Sequence, residues 1–331
     1  MLIDKYIDYI LGIRRYAGRT CEIYADVLKD FKSYQSGEWD EMTDGELIAT
    51  LDTVHIRNYE VYLLEIRKES ARTVNLHLSV LSGFCRYLVK EKILISNPVK
   101  LVGRPKMEKR LPVFYREESM DDYFAQTATW VSEGEMQVLE SYGGKPDKKA
   151  FEIYDHILAR TIVSVLYGTG IRRSELIGLS IRSVDFSRNV MTVLGKGDKM
   201  REIPLVSSLS KDISLYLQAT ESVMGSVRSL SDPLLVTAKG SKLYPVYVDR
   251  VIKGELGQIA GITGRKSPHV LRHTLATELL NNGADLNSIK ELLGHSSLAA
   301  TQVYTHNSIE KLKKVYNKAH PRAKNGGKNG D

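Results

Sequence analysis

Apolar residues recur three and four positions apart through the first hundred residues. DKYIDYILGI, TCEIYADVLKDFKSY, VHIRNYEVYLLEIRK and SARTVNLHLSVLSGFCRYLVKEK all show this spacing, which predicts helices with one buried stripe each. Thr20, Thr53 and Ser70 stand at expected N-cap positions, where a hydroxyl satisfies a free N–H of the first turn. Four or five short helices in one bundle are therefore predicted over 1–99. From Lys100 to Pro112 the period breaks: KLVGRPKMEKRLP holds two prolines, one glycine and five basic residues, which is linker composition. Such a segment can track a phosphate backbone or serve as a solvated connector.

Beyond the linker, a helix is predicted near Arg116–Gln126, and EGEMQVLESYGGKPDKK reads as an exposed excursion. The strongly apolar IYDHILARTIVSVLYGTG then predicts a buried helix stopping at Gly168 or Gly170. VDF, VMTVL and MREIPLV alternate and are separated by SRN and GKGDK, which predicts a three-stranded antiparallel sheet. After Val206 the pattern is helical again. The expected fold class is mainly α with one small antiparallel sheet.

Composition narrows the function classes only mildly. Lys+Arg exceed Asp+Glu by 47 to 40, giving a net charge of +7 that favours a polyanionic partner. Cys21 and Cys85 lie far apart and outside any CxxC pattern, so neither a disulfide framework nor a thiolate metal site is expected. Asp4 and Asp8 interrupt the apolar pattern at the start of the chain, which opposes a signal-peptide core, and Arg160 interrupts the longest apolar run. A cytoplasmic, nucleoid-associated protein without a membrane span is the expectation.

Several segments carry groups suited to an oxyanion. In YGTGIRRSELIGL, Arg172 stands at the start of a helix, where guanidinium and helix N-terminus can hold two phosphate oxygens; a surface pair with Glu175 is the plain alternative. Lys196 projects from the GKGDK turn, as a proton donor or merely a solubilising charge. Ser267 and Pro268 open a helix that sets His269 and Arg272 on one side of its first turns. His269 and His273 are spaced for a metal, but HVLRH lacks the glutamate of the HExxH pattern and no third acidic ligand is evident. His295 follows the stop residue Gly294, and Tyr304 lies nine residues further on, as a core tyrosine or as a nucleophile. Two guanidiniums, two imidazoles, an ammonium and a phenol suit attack on a phosphodiester by tyrosine, which requires neither metal nor ATP as cofactor.

In this order TGIRRSEL, GKGDKMREIPL, HVLRH, LLGHSS, TQVYTH and KKVYNKAHPRA resemble the tyrosine recombinases of the phage-integrase family, most of all the Xer-type recombinases, over nearly the whole chain. The resemblance implies a helical core-binding (SAM-like) domain over 1–99, a basic linker over 100–112, a mixed α/β catalytic domain over 113–308, and a C-terminal helix and tail over 309–331, together forming a C-shaped clamp on DNA. It implies Arg172 and Arg272 as a phosphate clamp, His269 and His295 as further donors or proton relays, Lys196 as the acid for the leaving 5′-oxygen, Tyr304 as the nucleophile and Glu175 as the carboxylate supporting Arg172. The implied partners are double-stranded DNA with inverted half-sites and three further copies of the chain in a tetramer joined by C-terminal helix exchange, with a second recombinase or a DNA translocase as further candidates. Leu312, Val315 and Tyr316 would form the exchanged apolar face, with docking on the chain's own domain as the alternative. No arm-binding domain precedes the helical bundle, which favours a dimer resolvase or a simple integrase over the arm-binding phage type. Xer-like resolution of replicon dimers is the expectation, with integration or excision of a mobile element, a regulator without catalysis, a metal-dependent nuclease and a topoisomerase as the alternatives. The region 117–149 looks longer than in compact Xer recombinases, either altering DNA or partner contacts or forming an inert insertion.

Overall fold

Helix formation in the first hundred residues follows from caps and a 3.6-residue stripe. The computed structural model describes residues 1–37, 42–107, 113–131, 133–141, 146–195, 198–294 and 306–324, except the side chains of 131, 133, 306–312 and 324. Contacts divide the chain into two units, Met1–Arg110 and Leu111–Asp331. The first contains α1 (Leu2–Asp8), α2 (Gly18–Ser36), α3 (Asp44–Ala49), α4 (Thr53–Val61) and α5 (Ala71–Lys90). Single π-helical turns extend α1 and α4. On α5, Val74, Leu78, Leu81, Phe84, Cys85 and Leu88 form the buried stripe.

Ser70 caps α5 as expected, its hydroxyl accepting from the Thr73 N–H. The other two expected caps shift. Thr53 is the first residue of α4, which Asp52 caps by accepting from the N–H groups of Val54 and His55; a carboxylate so placed also meets the positive end of the helix. Thr20 lies inside α2, whose flanking residue is Ala17. The first part of the expected linker packs on this unit: Val99 and Val102 are buried, and Asn75 Nδ2 donates to the Pro105 carbonyl at 2.9 Å.

The second unit is built around α8 (Lys148–Thr169), which follows α6 (Glu117–Gln126) and α7 (Glu133–Ser141). From Ile157 to Gly170 every residue of the α8 region is buried, as a helix apolar on all sides must be. α8 ends at Gly170, whose φ of +63° a side chain rarely adopts. Then come α9 (Arg173–Gly178), the antiparallel sheet β1 (Val184–Asp185), β2 (Val190–Leu194) and β3 (Met200–Pro204), α10 (Ser207–Met224) and α11 (Pro245–Glu255). α12 (Pro268–Asn281), α13 (Leu286–Leu293), α14 (His306–Ala319) and α15 (Pro321–Lys324) complete it. The fold is mainly α with one small antiparallel sheet, as the pattern predicts.

One difference concerns a region expected at the surface. The excursion after Gln126 contains α7, which buries Met136 and Leu139 in the core of the unit, and Trp130 stacks on His156 of α8 at 4.6 Å. Within 117–149, α6 and α7 thus contribute buried residues to the core of the unit; polar residues between the few apolar anchors of α7 hide a short helix from pattern reading. For the tail, the single chain shows docking on its own unit. Tyr316, Ala319, His320 and Arg322 are buried within their own unit, and Val315 packs partly buried against the same core, so the face expected to lie on another copy is covered in cis; the Leu312 side chain lies outside the described residues. The Tyr316 hydroxyl and His320 Nε2 both donate to the Gly168 carbonyl, one of the free acceptors at the end of α8. Nδ1 of His320 accepts from the Arg322 N–H, which fixes a neutral ring; burial and the Arg322 charge push its pKa down to about 3.

Candidate active site

The ends of α8 and α13 expose the carbonyls that a helix leaves without partners, and arginines from three elements satisfy them. Arg272, one turn into α12, donates from Nη1 to the Gly170 carbonyl at 2.6 Å and from Nη2 to the Leu293 carbonyl at 2.7 Å. Arg172, flanking α9, donates from Nη2 to the Gly294 carbonyl at 3.0 Å. Arg201, on β3, donates from Nε to the Leu292 carbonyl at 3.0 Å. Three successive carbonyls at the end of α13 thus each receive one guanidinium. Gly294, with φ +66°, ends the helix.

Glu175, in the first turn of α9, is the carboxylate of this cluster. Its Oε1 accepts from Arg172 Nη1 at 2.8 Å and Arg201 Nη1 at 3.0 Å; its Oε2 accepts from the Arg172 backbone N–H at 2.7 Å and Arg201 Nη2 at 2.9 Å. Burial pushes the Glu175 carboxyl up, but the Arg201 fork and the Arg172 donors outweigh it and hold it below the usual range. Burial, then the charges of Arg172 and Arg201, push Arg272 down to about 10, which leaves it charged at neutral pH. Three guanidiniums around one carboxylate leave a surplus of positive charge in a half-buried setting. An oxyanion such as a phosphodiester matches that surplus in sign and in hydrogen-bond geometry.

The expected residues fall into two groups. Arg172, Glu175 and Arg272 are brought together. His269 stands on the first turn of α12, exposed, one turn before Arg272; burial first, then Arg173, Arg265, His273 and Arg272, lower its pKa and favour a neutral imidazole. Ser267 occupies the cap position of α12, but its hydroxyl makes no capping bond. Arg173 turns away from the cluster to pair with Asp249. Lys196, His295 and Tyr304 lie outside the described residues. Gly195 and Gly294, which are described, directly precede Lys196 and His295 in sequence. Among the described residues no group of three or more His, Cys, Asp or Glu side chains is gathered as a metal site. Nor is any described helix long and apolar enough to cross a membrane.

Arg201 is the group that motif reading passes over. It hides in MREIPLV, where it looks like one more basic residue of a basic turn. Strand alternation carries the signal: Arg201 and Ile203 are buried, whereas Met200 and Glu202 are not.

Residues 146–311 match the Phage integrase family, and residues 3–92 match the phage integrase N-terminal SAM-like domain. The chain is 34% identical to the tyrosine recombinase XerC of Listeria innocua over 97% of its own length and 98% of the relative's. The chain belongs to the phage integrase family. Its likeness to the XerC of Bacillus subtilis is 32% over 97% of the chain and 96% of the relative. With such likeness over the whole length, it is a tyrosine recombinase of the Xer type, an enzyme of site-specific recombination. The fold matches XerH site-specific recombinase, solved bound to a palindromic difH substrate, with a TM-score of 0.63 at 20% identity over 91% of this chain and 80% of that one. It also matches the Tn1549 transposon integrase, solved with circular intermediate DNA, with a TM-score of 0.60 at 17% identity over 94% and 98%.

Proposed function

We propose that this recombinase cleaves and rejoins double-stranded DNA at inverted half-sites through a phosphotyrosine formed by Tyr304. The observation that supports this is the arginine cluster at the end of α13: a cationic cradle, built on fixed carbonyls and one carboxylate, directly precedes the stretch from His295 to Tyr304. Arg172 and Arg272 hold the non-bridging oxygens of the scissile phosphate. Tyr304 attacks phosphorus, the 5′-oxygen leaves with a proton from Lys196, and the phosphotyrosine keeps the bond energy for rejoining. His269 and His295 donate to the same oxygens or relay the proton of the phenol. Charge that builds on those oxygens in the transition state meets donors already in place, so little reorganisation is needed. No step in this sequence calls for a metal ion or ATP.

The full-length likeness to XerC relatives favours resolution of replicon dimers in the cytoplasm, by a tetramer spanning two sites. The chain's own docking of Tyr316–Arg322 gives exchange a route. The same contacts made in a neighbour's unit cost nothing in contact energy, as in a domain swap, and join successive protomers around a ring. The chemical core is tested with nicked suicide duplexes prepared from the source genome. The full chain forms a covalent adduct whose position maps the target, whereas Tyr304→Phe binds the same duplex and forms none. An adduct from the phenylalanine variant would remove Tyr304 from the nucleophile's role.

A further inference from the structure

We propose that Arg201 is a positioning residue for strand cleavage: by occupying the Glu175 carboxylate it keeps the Arg172 guanidinium open for the phosphate. This rests on the reading of Arg172 as a phosphate ligand. Glu175 is buried and has two claimants. Arg201 takes it fork to fork, Nη1 on Oε1 at 3.0 Å and Nη2 on Oε2 at 2.9 Å, the geometry in which guanidinium and carboxylate bind most strongly. Arg172 is left with one guanidinium bond to Oε1, and its Nη2 reaches the Gly294 carbonyl instead. Its side chain keeps 33% of its exposure against 6% for Arg201, so of the two only Arg172 is open to a ligand. Without Arg201, a buried carboxylate lacking half its donors would draw the Arg172 fork onto itself. The guanidinium would then be spent inside the protein.

The same residue sets the two chain segments that lead to further proposed site groups. A Cβ placed on Gly294, immediately before His295, would come within 3.2 Å of Arg201 Cζ and Nη1. One placed on Gly195, immediately before Lys196, would come within 3.3 Å of Arg201 Nη1 and 3.7 Å of Glu175 Oε1. Both glycines therefore lie directly against one guanidinium, which β3 holds opposite Val193 of β2 and which anchors itself on the Leu292 carbonyl. Arg201 thus ties the strand turn, the end of α13 and the start of α9 together at one point. Lysine keeps the charge but not the two-pronged geometry, so it isolates the positioning role.

The test measures the cleavage rate of pre-bound protein on the suicide duplex that traps the unmodified chain, for Arg201→Lys, Arg172→Lys and the double variant. Half-site affinity of Arg201→Lys should stay within about threefold of the parent, and pre-binding at saturating protein keeps any loss of affinity in the two Arg172 variants out of the measured rate. Arg201→Lys should cleave about 10- to 100-fold more slowly, the usual loss when a reacting group is displaced by its support. Because the defect acts through Arg172, the double variant should be no slower than Arg172→Lys, a non-additivity that general weakening of the fold would not produce. Losses that multiply, or full-rate cleavage by Arg201→Lys beside an impaired Arg172→Lys, would overturn the proposal. Full-rate cleavage by Arg172→Lys would instead overturn the site reading beneath it. If Arg201→Lys does not bind DNA as folded protein, Arg201→Gln takes its place, and loss of fold in both refutes positioning in favour of a purely structural role.

Discussion

Removing Arg322 tests whether the tail is an integral part of its own unit. Arg322 Nη2 donates to Asp212 Oδ2 at 2.9 Å, Nη1 donates to the Ser164 hydroxyl, and the guanidinium carbon lies 3.9 Å from the Phe124 ring centroid. In Arg322→Ala, Asp212 keeps Ser164 Oγ at 2.5 Å and Arg160 Nε at 3.4 Å, so it is not orphaned and the 3–5 kcal/mol cost of a broken buried pair is not reached. What is lost is a charged hydrogen bond, about 1.5–3 kcal/mol, and part of a desolvated cation–π contact. The sum is about 3 kcal/mol. At about 2–4 °C per kcal/mol for a unit of this size, the melting midpoint should fall by roughly 6–12 °C in a calorimetric scan at pH 7. The sign of the pH dependence is fixed by Asp212: burial raises its pKa, but Arg322 and Arg160 outweigh that and hold it below its ordinary value of 3.8. The carboxylate therefore stabilises the fold above that value and ceases to as pH drops through its lower folded pKa. The deficit of Arg322→Ala should be constant from pH 8 to 5 and shrink below about pH 4. A midpoint within 2 °C of the parent at pH 7 would refute the reasoning.

Two further perturbations probe the site. Lys196→Ala should cleave an ordinary substrate poorly yet cleave a 5′-bridging phosphorothiolate almost normally, because sulfur leaves without an acid; equal impairment on both would assign Lys196 to phosphate binding instead. Gly170→Ala puts a Cβ 2.6 Å from Leu293 Cδ2 at a φ of +63°, so it should cost about 2–4 kcal/mol in denaturant melts and, by shifting the carbonyl that holds Arg272, slow cleavage at least tenfold. Unchanged cleavage would show that the Gly170 carbonyl does not set Arg272.

The fold was legible wherever burial imposes a period. α5 and α8 announce themselves through apolar spacing, and the sheet through alternation between turn residues, because each must hide one face or all faces from water. α7 was not, since two buried anchors among polar residues leave no period to read. Thr20 lies inside α2, which starts after Ala17 without any side-chain cap, and the expected cap at Thr53 failed for a local reason. A hydroxyl marks a helix start only when no better acceptor stands beside it, and Asp52 is a better acceptor next to Thr53.

The tail and Arg201 share a deeper cause. Spacing on a helix says that a face is apolar, not which surface covers it, and the partners of Tyr316 and His320 lie about 150 residues away at the Gly168 carbonyl. Those carbonyls exist as acceptors only because α8 ends there, so the pairing is a property of the assembled unit. Arg201 is read the same way. Its roles come from Glu175, 26 residues before it, and from Leu292, 91 residues after it. Motif reading favours residues whose chemistry would face a substrate, and Arg172 and Arg272 were singled out on that ground, Glu175 only through the resemblance. A guanidinium turned inward to serve another guanidinium has no motif of its own. The physical sign it leaves is a charge at an inward strand position, which must be answered by a buried carboxylate, and Glu175 at the start of a nearby helix is that answer.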